Sequence, residues 1–213
     1  MKKGFTILYP EFEGLYINLT NRCPCACTFC IRNSERAEFD NVDTLWLERE
    51  PTAQEVIAAL KEESKKPEFA DYKEIVFCGY GEPTERLDVL LEVAAFIKKE
   101  LKKPTRLNTN GLGDLVNQKS IAPLLAGKLD VVSISLNSSD PDIYEKTVRP
   151  KFGKKSHAAL IKFASDCTKF VPRVVLSTVA TTISAEDEKK CTEICHKIGA
   201  EHRIREFEII EKS

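Results

Sequence analysis

Short runs rich in Val, Ile, Leu, Phe and Thr alternate with amphipathic helical patterns along almost the whole chain, and this βα rhythm restricts it to folds built on a parallel sheet. Six candidate strands can be read: Leu15–Thr20, Glu74–Cys78, Thr105–Asn108, Asp130–Leu136, Arg173–Val179 and His202–Glu208. Helix start signals fall between them. Thr52-Ala53-Gln54-Glu55 places Thr and Glu at capping-box spacing ahead of Val56, Ile57 and Leu60, and Ser184 with Asp187 forms a close variant. Further helices are expected over Leu87–Lys102, Leu115–Ala126 and His157–Cys167, with Asp140-Pro141 opening the fourth connection. A complete eightfold (β/α) barrel takes ~250 residues. Six units in 213 residues therefore leave an incomplete barrel or a doubly wound open sheet. Both bind ligands at the carboxyl ends of their strands.

Composition narrows the function classes. Thirty-two basic against thirty-three acidic side chains give a net charge of -1, so no global field draws the chain to nucleic acid or an anionic membrane. With 42% hydrophobic residues it can fill a core. No apolar run approaches the ~18 residues of a membrane span, and Met1-Lys2-Lys3-Gly4-Phe5 meets Pro10 and Glu11 before a signal-peptide core could form, so a cytoplasmic protein is expected. No linker or second compositional block appears, and residues 1–213 read as one domain. The exception to the compact rhythm is the polar stretch 31–51, where Trp46-Leu47-Glu48 suits either a flap over a site or a surface loop pinned by one apolar contact.

The chemistry is concentrated in Cys23-Pro24-Cys25-Ala26-Cys27-Thr28-Phe29-Cys30, directly after the first strand. A four-cysteine zinc site normally splits its ligands into two separated pairs. A ferredoxin-like cluster usually takes one remote cysteine beside proline, which this chain lacks. Thiol–disulfide exchange could use Cys27-Thr28-Phe29-Cys30 but leaves Cys23 without a role. In the fourth reading Cys23, Cys27 and Cys30, spaced C-x3-C-x2-C, give three thiolates to a four-iron cube and leave one iron open, with Cys25 a bystander or fallback ligand. Cys78, Cys167, Cys191 and Cys195 are scattered, so no second cluster is expected.

Other candidates follow strand by strand. Gly79-Tyr80-Gly81-Glu82-Pro83-Thr84 ends the second strand, where glycines permit close backbone approach and Glu82 can accept from an ammonium. Strand alternation puts Val132, Ile134 and Leu136 on the helix-covered face and Ser133, Ser135 and Asn137 on the opposite one. The same parity groups Arg106, Asn108 and Asn110, with Asn110-Gly111 also a turn signal. Arg149 and Arg205 can bind a carboxylate or phosphate bidentately, although pairing with Asp142 or Glu206 is the simpler expectation. Cys191 and Cys195 at helical i, i+4 spacing suit a buried helix face, and the three histidines form no constellation.

Taken together, the C-x3-C-x2-C triple after a first strand and the motifs in order behind it resemble the radical S-adenosylmethionine (radical SAM) superfamily. At finer grain, the cysteine segment, Phe77–Thr84 and Asn108-Thr109-Asn110-Gly111 resemble the TatD-associated radical SAM proteins. The resemblance implies a partial (β/α)6 barrel of parallel strands and a [4Fe–4S] cluster held by Cys23, Cys27 and Cys30. It also implies reductive cleavage of SAM to a 5′-deoxyadenosyl radical that abstracts hydrogen from a substrate, with an external one-electron reductant of the flavodoxin or ferredoxin type. By the same resemblance, Tyr80, Gly81 and Glu82 match the stretch that binds SAM's amino group. Ser135 and Asn137 match ribose-binding positions, Val179 matches the backbone that receives the adenine, and Phe29 matches an aromatic of the cluster loop. Asn108 is a further candidate at the site. The family name implies a functional link to a TatD-type nuclease. Relatives with a Gly-Glu-Pro-Thr stretch suggest a small heterocyclic substrate, and glycyl-radical activating enzymes suggest a protein one. The rival class is a non-enzymatic iron–sulfur electron carrier or zinc-stabilised interaction module, which predicts four protein ligands including Cys25.

Overall fold

Period-two alternation decides which face of each strand is covered. The computed structural model describes residues 3–33 and 44–206. It contains a seven-stranded sheet whose spatial order follows the chain: β1 (Leu8–Glu11), β2 (Gly14–Ile17), β3 (Glu74–Phe77), β4 (Thr105–Thr109), β5 (Val131–Ser135), β6 (Arg173–Val179) and β7 (Glu201–Arg205). Strands β2 to β7 are parallel neighbours, with α1 (Ala53–Glu63), α2 (Leu87–Phe96), α3 (Gly113–Asn117), α4 (Pro141–Val148), α5 (Lys155–Cys167) and α6 (Ala185–Ile198) in the connections. Six parallel strands in sequential order give the partial (β/α)6 barrel, and each expected strand falls within a few residues of an observed one. The end of the last expected strand, 207–208, lies outside the described residues.

Two elements differ from expectation. An additional antiparallel strand, β1, pairs with β2 through Pro10↔Leu15 and Glu11↔Gly14. Pro10 lies within it, because an edge strand tolerates a residue without an N–H. The helix expected over Leu115–Ala126 is instead the five-residue α3 and a 3-10 turn at Ala122–Leu125. Gln118 adopts a left-handed conformation with φ 53°, and the Asp114 carboxylate accepts from the Ile121 N–H at 2.9 Å, which closes the chain before a second turn can form.

Leu15, Ile17, Ile75, Phe77, Leu107, Val132, Ile134 and Leu176 point to the helix layer and are fully buried. The inner face begins apolar, with Tyr9, Tyr16 and Val76 packed on Leu45 and Tyr80. It then turns polar through Arg106, Asn108, Ser133, Ser135 and Ser177. Each such position forgoes about 2 kcal/mol that a buried Val or Leu would contribute. A parallel sheet covered on both faces would be apolar here, so the polar patch marks where a ligand belongs. Among the described residues no helix is long and apolar enough to cross a membrane.

The part of the 31–51 stretch that is described, 44–51, is anchored. Leu45 and Leu47 are buried, the Trp46 ring meets Tyr80 edge-on at 5.1 Å, and Gly4 bridges to Leu47. The Asn18 and Asn21 side-chain amides donate to the carbonyls of Leu45 and Leu47 at 2.8 and 2.7 Å. Residues 34–43 of the stretch, read as either a flap or a pinned surface loop, lie outside the described residues.

Candidate active site

The chain leaves β2 at Asn18, and its next turn is set by polar bonds. The Thr20 hydroxyl donates to Glu50 at 2.5 Å and accepts from the Arg22 N–H at 2.9 Å, while Arg22 and Arg86 both pair with Glu50. The cysteine loop then lies along the carboxyl end of α4. Ala26 N–H donates to Val148, Thr28 N–H to Thr147, and Lys151 N–H back to Pro24. Cys25 lies opposite Pro150 in an isolated antiparallel backbone pairing and its side chain is buried, whereas Cys23, Cys27 and Cys30 are half-buried.

That arrangement separates the four thiols chemically. Bonding with Cys25 draws the Cys23 thiol down to about 7 against the opposing effect of burial, and lowers Cys27 in the same way. Cys25 is driven far up by its bonds to Cys23 and Cys27 and by burial, so it stays a thiol. Arg32 Nε donates to the Cys30 sulfur at 3.3 Å and Asn110 Nδ2 to the Cys23 sulfur at 3.8 Å. Thiolates are the metal-binding form, and here they are favoured at Cys23 and Cys27. Among the described residues no group of three His, Cys, Asp or Glu is placed to hold a single metal ion. A polynuclear cluster makes no such demand, because each thiolate binds a different iron. The donor set therefore fits a cluster, with Cys25 beneath it as a thiol.

The loop after β3 packs against this segment. A Cβ on Gly79 would lie 2.3 Å from Asn18 Oδ1, and one on Gly81 would lie 2.2 Å from the Thr20 carbonyl and 2.7 Å from that of Arg22. The close approach that these glycines permit is thus to the chain itself. Glu82 is buried and points inward. Its Oε1 accepts from Thr84 N–H at 3.1 Å, the Thr84 hydroxyl at 2.8 Å and the Thr109 hydroxyl at 2.7 Å, and its Oε2 from Asn110 N–H at 2.8 Å. Burial still raises its pKa above the ordinary carboxylate value. These bonds fix the β3 loop to the end of β4, and Asn110 connects both to Cys23.

Inside the sheet opens a cavity of about 240 Å3. Of the residues anticipated from sequence it collects Gly81, Glu82, Asn108 and Ser135, together with Arg106, Asn110, Ser133 and Arg205. Cys78, just past β3, also lines it, as do Ser177 and Arg203, which register with β5 and β6 brings level with Ser135. Tyr80 is turned away onto Trp46, and Phe29 is 40% exposed on the cysteine loop. Asn137 lies just past β5 in a left-handed conformation, φ 64°, with its N–H bonded to Ser177. Val179 ends β6, and its carbonyl accepts from the Thr182 N–H and hydroxyl. The side-chain oxygens of Asn108 and Asn137 and Nε of Arg106 are buried without a hydrogen-bond partner. Since buried polar atoms are nearly always bonded, these three fit a polar ligand laid across β4 and β5. Elsewhere Cys191 and Cys195 are fully buried in the core, and His202 is held between Thr178 and Thr192.

The family model described as the Radical SAM superfamily matches residues 17–198. A protein of Methanocaldococcus jannaschii described as a probable GTP 3′,8-cyclase is 30% identical over 198 residues, covering 92% of this chain and 59% of that protein. One of Methanosarcina acetivorans with the same description is 31% identical over 157 residues, covering 67% of this chain and 42% of that one. The chain thus spans less than two thirds of the length of these curated relatives. Among solved structures, Streptococcus suis SuiB bound to its precursor peptide SuiA aligns with a TM-score of 0.68 at 18% identity, over 90% of this chain and 38% of that one. Methylornithine synthase (PylB) aligns at 0.56 and 15% identity, over 90% and 52%. These two show the fold. Cysteine loop, glycine turn and partial barrel agree with the family match, and the chain belongs to the radical SAM superfamily, enzymes that use a [4Fe–4S] cluster and S-adenosylmethionine.

Proposed function

We propose that residues 1–213 form one radical SAM core in which Cys23, Cys27 and Cys30 hold the cluster and SAM lies in the cavity between the cysteine loop and β4–β6. The observation that carries this reading is the separation of the thiols: Cys23, Cys27 and Cys30 stand half-buried on the loop at the carboxyl edge of the sheet, while Cys25 is buried. When bound, the reduced cluster and SAM supply a 5′-deoxyadenosyl radical for hydrogen abstraction. Enzymes of this superfamily generally take the electron from an external one-electron reductant, here of the flavodoxin or ferredoxin type. The link to a TatD-type nuclease rests on the motif resemblance.

The chain's part is to bind, orient and exclude water. Arg32 and Asn110 donate to the outer sulfurs and fix the thiolates' orientation. Glu82, saturated by Thr84, Thr109 and Asn110, holds the Gly79–Gly81 backbone rigid, so that the main chain at Tyr80 and Gly81 faces the methionine end. Asn108, Ser135 and Asn137 offer polar contacts for the ribose, and by the motif resemblance the Val179 backbone and Phe29 flank the adenine. The curated relatives' description as GTP 3′,8-cyclases favours a small heterocyclic substrate over a protein.

The test is low-temperature electron paramagnetic resonance of anaerobically reconstituted, dithionite-reduced protein with and without SAM. The expected result is a [4Fe–4S]+ signal that changes on adding SAM, together with loss of 5′-deoxyadenosine formation in Cys23→Ala, Cys27→Ala and Cys30→Ala. A signal indifferent to SAM, with iron lost in Cys25→Ala, would favour the electron carrier, and retained zinc without iron would favour the interaction module.

A further inference from the structure

The cavity is lined by guanidinium groups from opposite flanks, and among the described residues Arg203 has no acid paired with it. Register aligns Ser135, Ser177 and Arg203 across β5, β6 and β7, and Val179 with Arg205 one level further toward the carboxyl edge. Arg106 enters from β4, two residues before Asn108, so guanidinium groups from both flanks border one space. The carboxylates facing these groups are already engaged. Glu74 pairs with Arg106 at 2.7 Å, Glu82 is saturated by four donors from Thr84, Thr109 and Asn110, and Glu201, on the same strand as Arg203, pairs with Arg173 at 2.7 Å. Among the described residues Arg203 has no ion pair or hydrogen bond, and Arg106 keeps a buried Nε without a partner.

We infer that the β4–β7 side of the cavity is an anion subsite in which Arg106 and Arg203, with the Ser177 hydroxyl, bind a phosphate or carboxylate group of the substrate. A guanidinium binds either group through two parallel N–H donors, and the Ser177 hydroxyl supplies a further short bond. Like charges brought together in a partly enclosed space repel, and a bound oxyanion removes that penalty while satisfying Arg106 Nε. Arg203 lies on β7, four strands from the β3 loop that carries Glu82, so its position suits a substrate group better than the methionine end of SAM. The subsite deepens the reading of this cavity as a radical SAM active site and rests on it for the word substrate.

The test is calorimetric titration of the anaerobic, cluster-loaded protein with pyrophosphate, with citrate and, separately, with SAM. The expected result is binding of one anion, weakened about tenfold in Arg203→Gln and again by raised salt, with SAM affinity moving less than about twofold. Preference for pyrophosphate assigns a phosphorylated substrate, and preference for citrate a carboxylated one. Arg203 is exposed and holds no structural bond, so Arg203→Gln keeps the fold even if Arg106→Gln, which strands Glu74, does not. Failure of the wild-type protein to bind either anion, unchanged anion binding in Arg203→Gln, or weakening of SAM alone would overturn the inference. An anion bound through Arg203 in a protein whose cluster signal ignores SAM would leave the subsite standing and reject the radical mechanism.

Discussion

Gly81 shows how much one hydrogen atom decides. A methyl group there would meet the Thr20 and Arg22 carbonyls at 2.2 and 2.7 Å, and neither oxygen is a flexible side-chain end. Gly81→Ala is expected to lower stability by about 3 kcal/mol and to push the chain away just before Cys23. A urea midpoint and the iron content after reconstitution would both fall, whereas an unchanged midpoint would show that the loop yields without cost. That a glycine was needed at this strand end is legible in the sequence, but not which backbone lies opposite it. The same limit applies to the cysteines. Four thiols within eight residues announce a site, yet only the tertiary structure shows that Cys25, opposite Pro150, is the buried one.

At the scale of elements, the legible parts are those whose signals are local. The α1 capping box forms as its spacing predicts: Thr52 Oγ1 accepts from the Glu55 N–H at 3.2 Å, and Glu55 accepts from the Thr52 N–H at 2.9 Å. Thr52→Ala should cost about 1 kcal/mol, read as a lower urea midpoint with an unchanged m-value. Equal stability would mean that water accepts from the Glu55 N–H without cost, while the Glu55 carboxylate keeps its bonds to the Thr52 N–H and to Arg49. At α6 the Ser184 hydroxyl accepts from the Asp187 N–H as expected, but Asp187 does not reach back to complete a box. Its carboxylate instead accepts from Ser138 at 2.6 Å and from the Ser139 N–H and hydroxyl, tying α6 to the loop after β5. Propensity cannot reveal that choice, because Ser138 and Ser139 are far away in sequence.

For the whole molecule, such long-range carboxylate bonds set the acid limit of stability. Burial works to raise Asp187, but the Ser138 and Ser139 donors hold it below the ordinary carboxylate range, and Lys98 and Thr105 do the same for Asp130. A depressed folded pKa contributes stability that is present above the unfolded value of about 3.9 and is lost as pH falls through the folded value. Glu82 acts in the opposite sense: burial raises its pKa, so its contribution is full below the unfolded value and lost as pH rises. Unfolding followed from pH 7 to pH 3 should show a urea midpoint that rises slightly as Glu82 takes its proton and then drops below about pH 4. In Asp187→Asn the midpoint should be lower at neutral pH and the acid drop shallower. An identical acid profile in that variant would remove Asp187 from this account.

By itself the sequence determined the parallel βα order, the six strands of the barrel, the position of the thiols at its carboxyl edge and the inward parity of Arg106, Asn108, Ser133 and Ser135. Each of these follows from periodicity or from spacing within a few residues, where the chain's own geometry leaves little freedom. Tertiary structure alone decided that Pro10 sits in an edge strand, that Tyr80 turns onto Trp46, that the Glu82 carboxylate is spent on Thr84, Thr109 and Asn110, and that Arg203 and Ser177 share a wall with Arg106. Those outcomes depend on which strands become neighbours and in what register. That is fixed by burial of the helix-facing side chains over the whole sheet, and no local stretch encodes it.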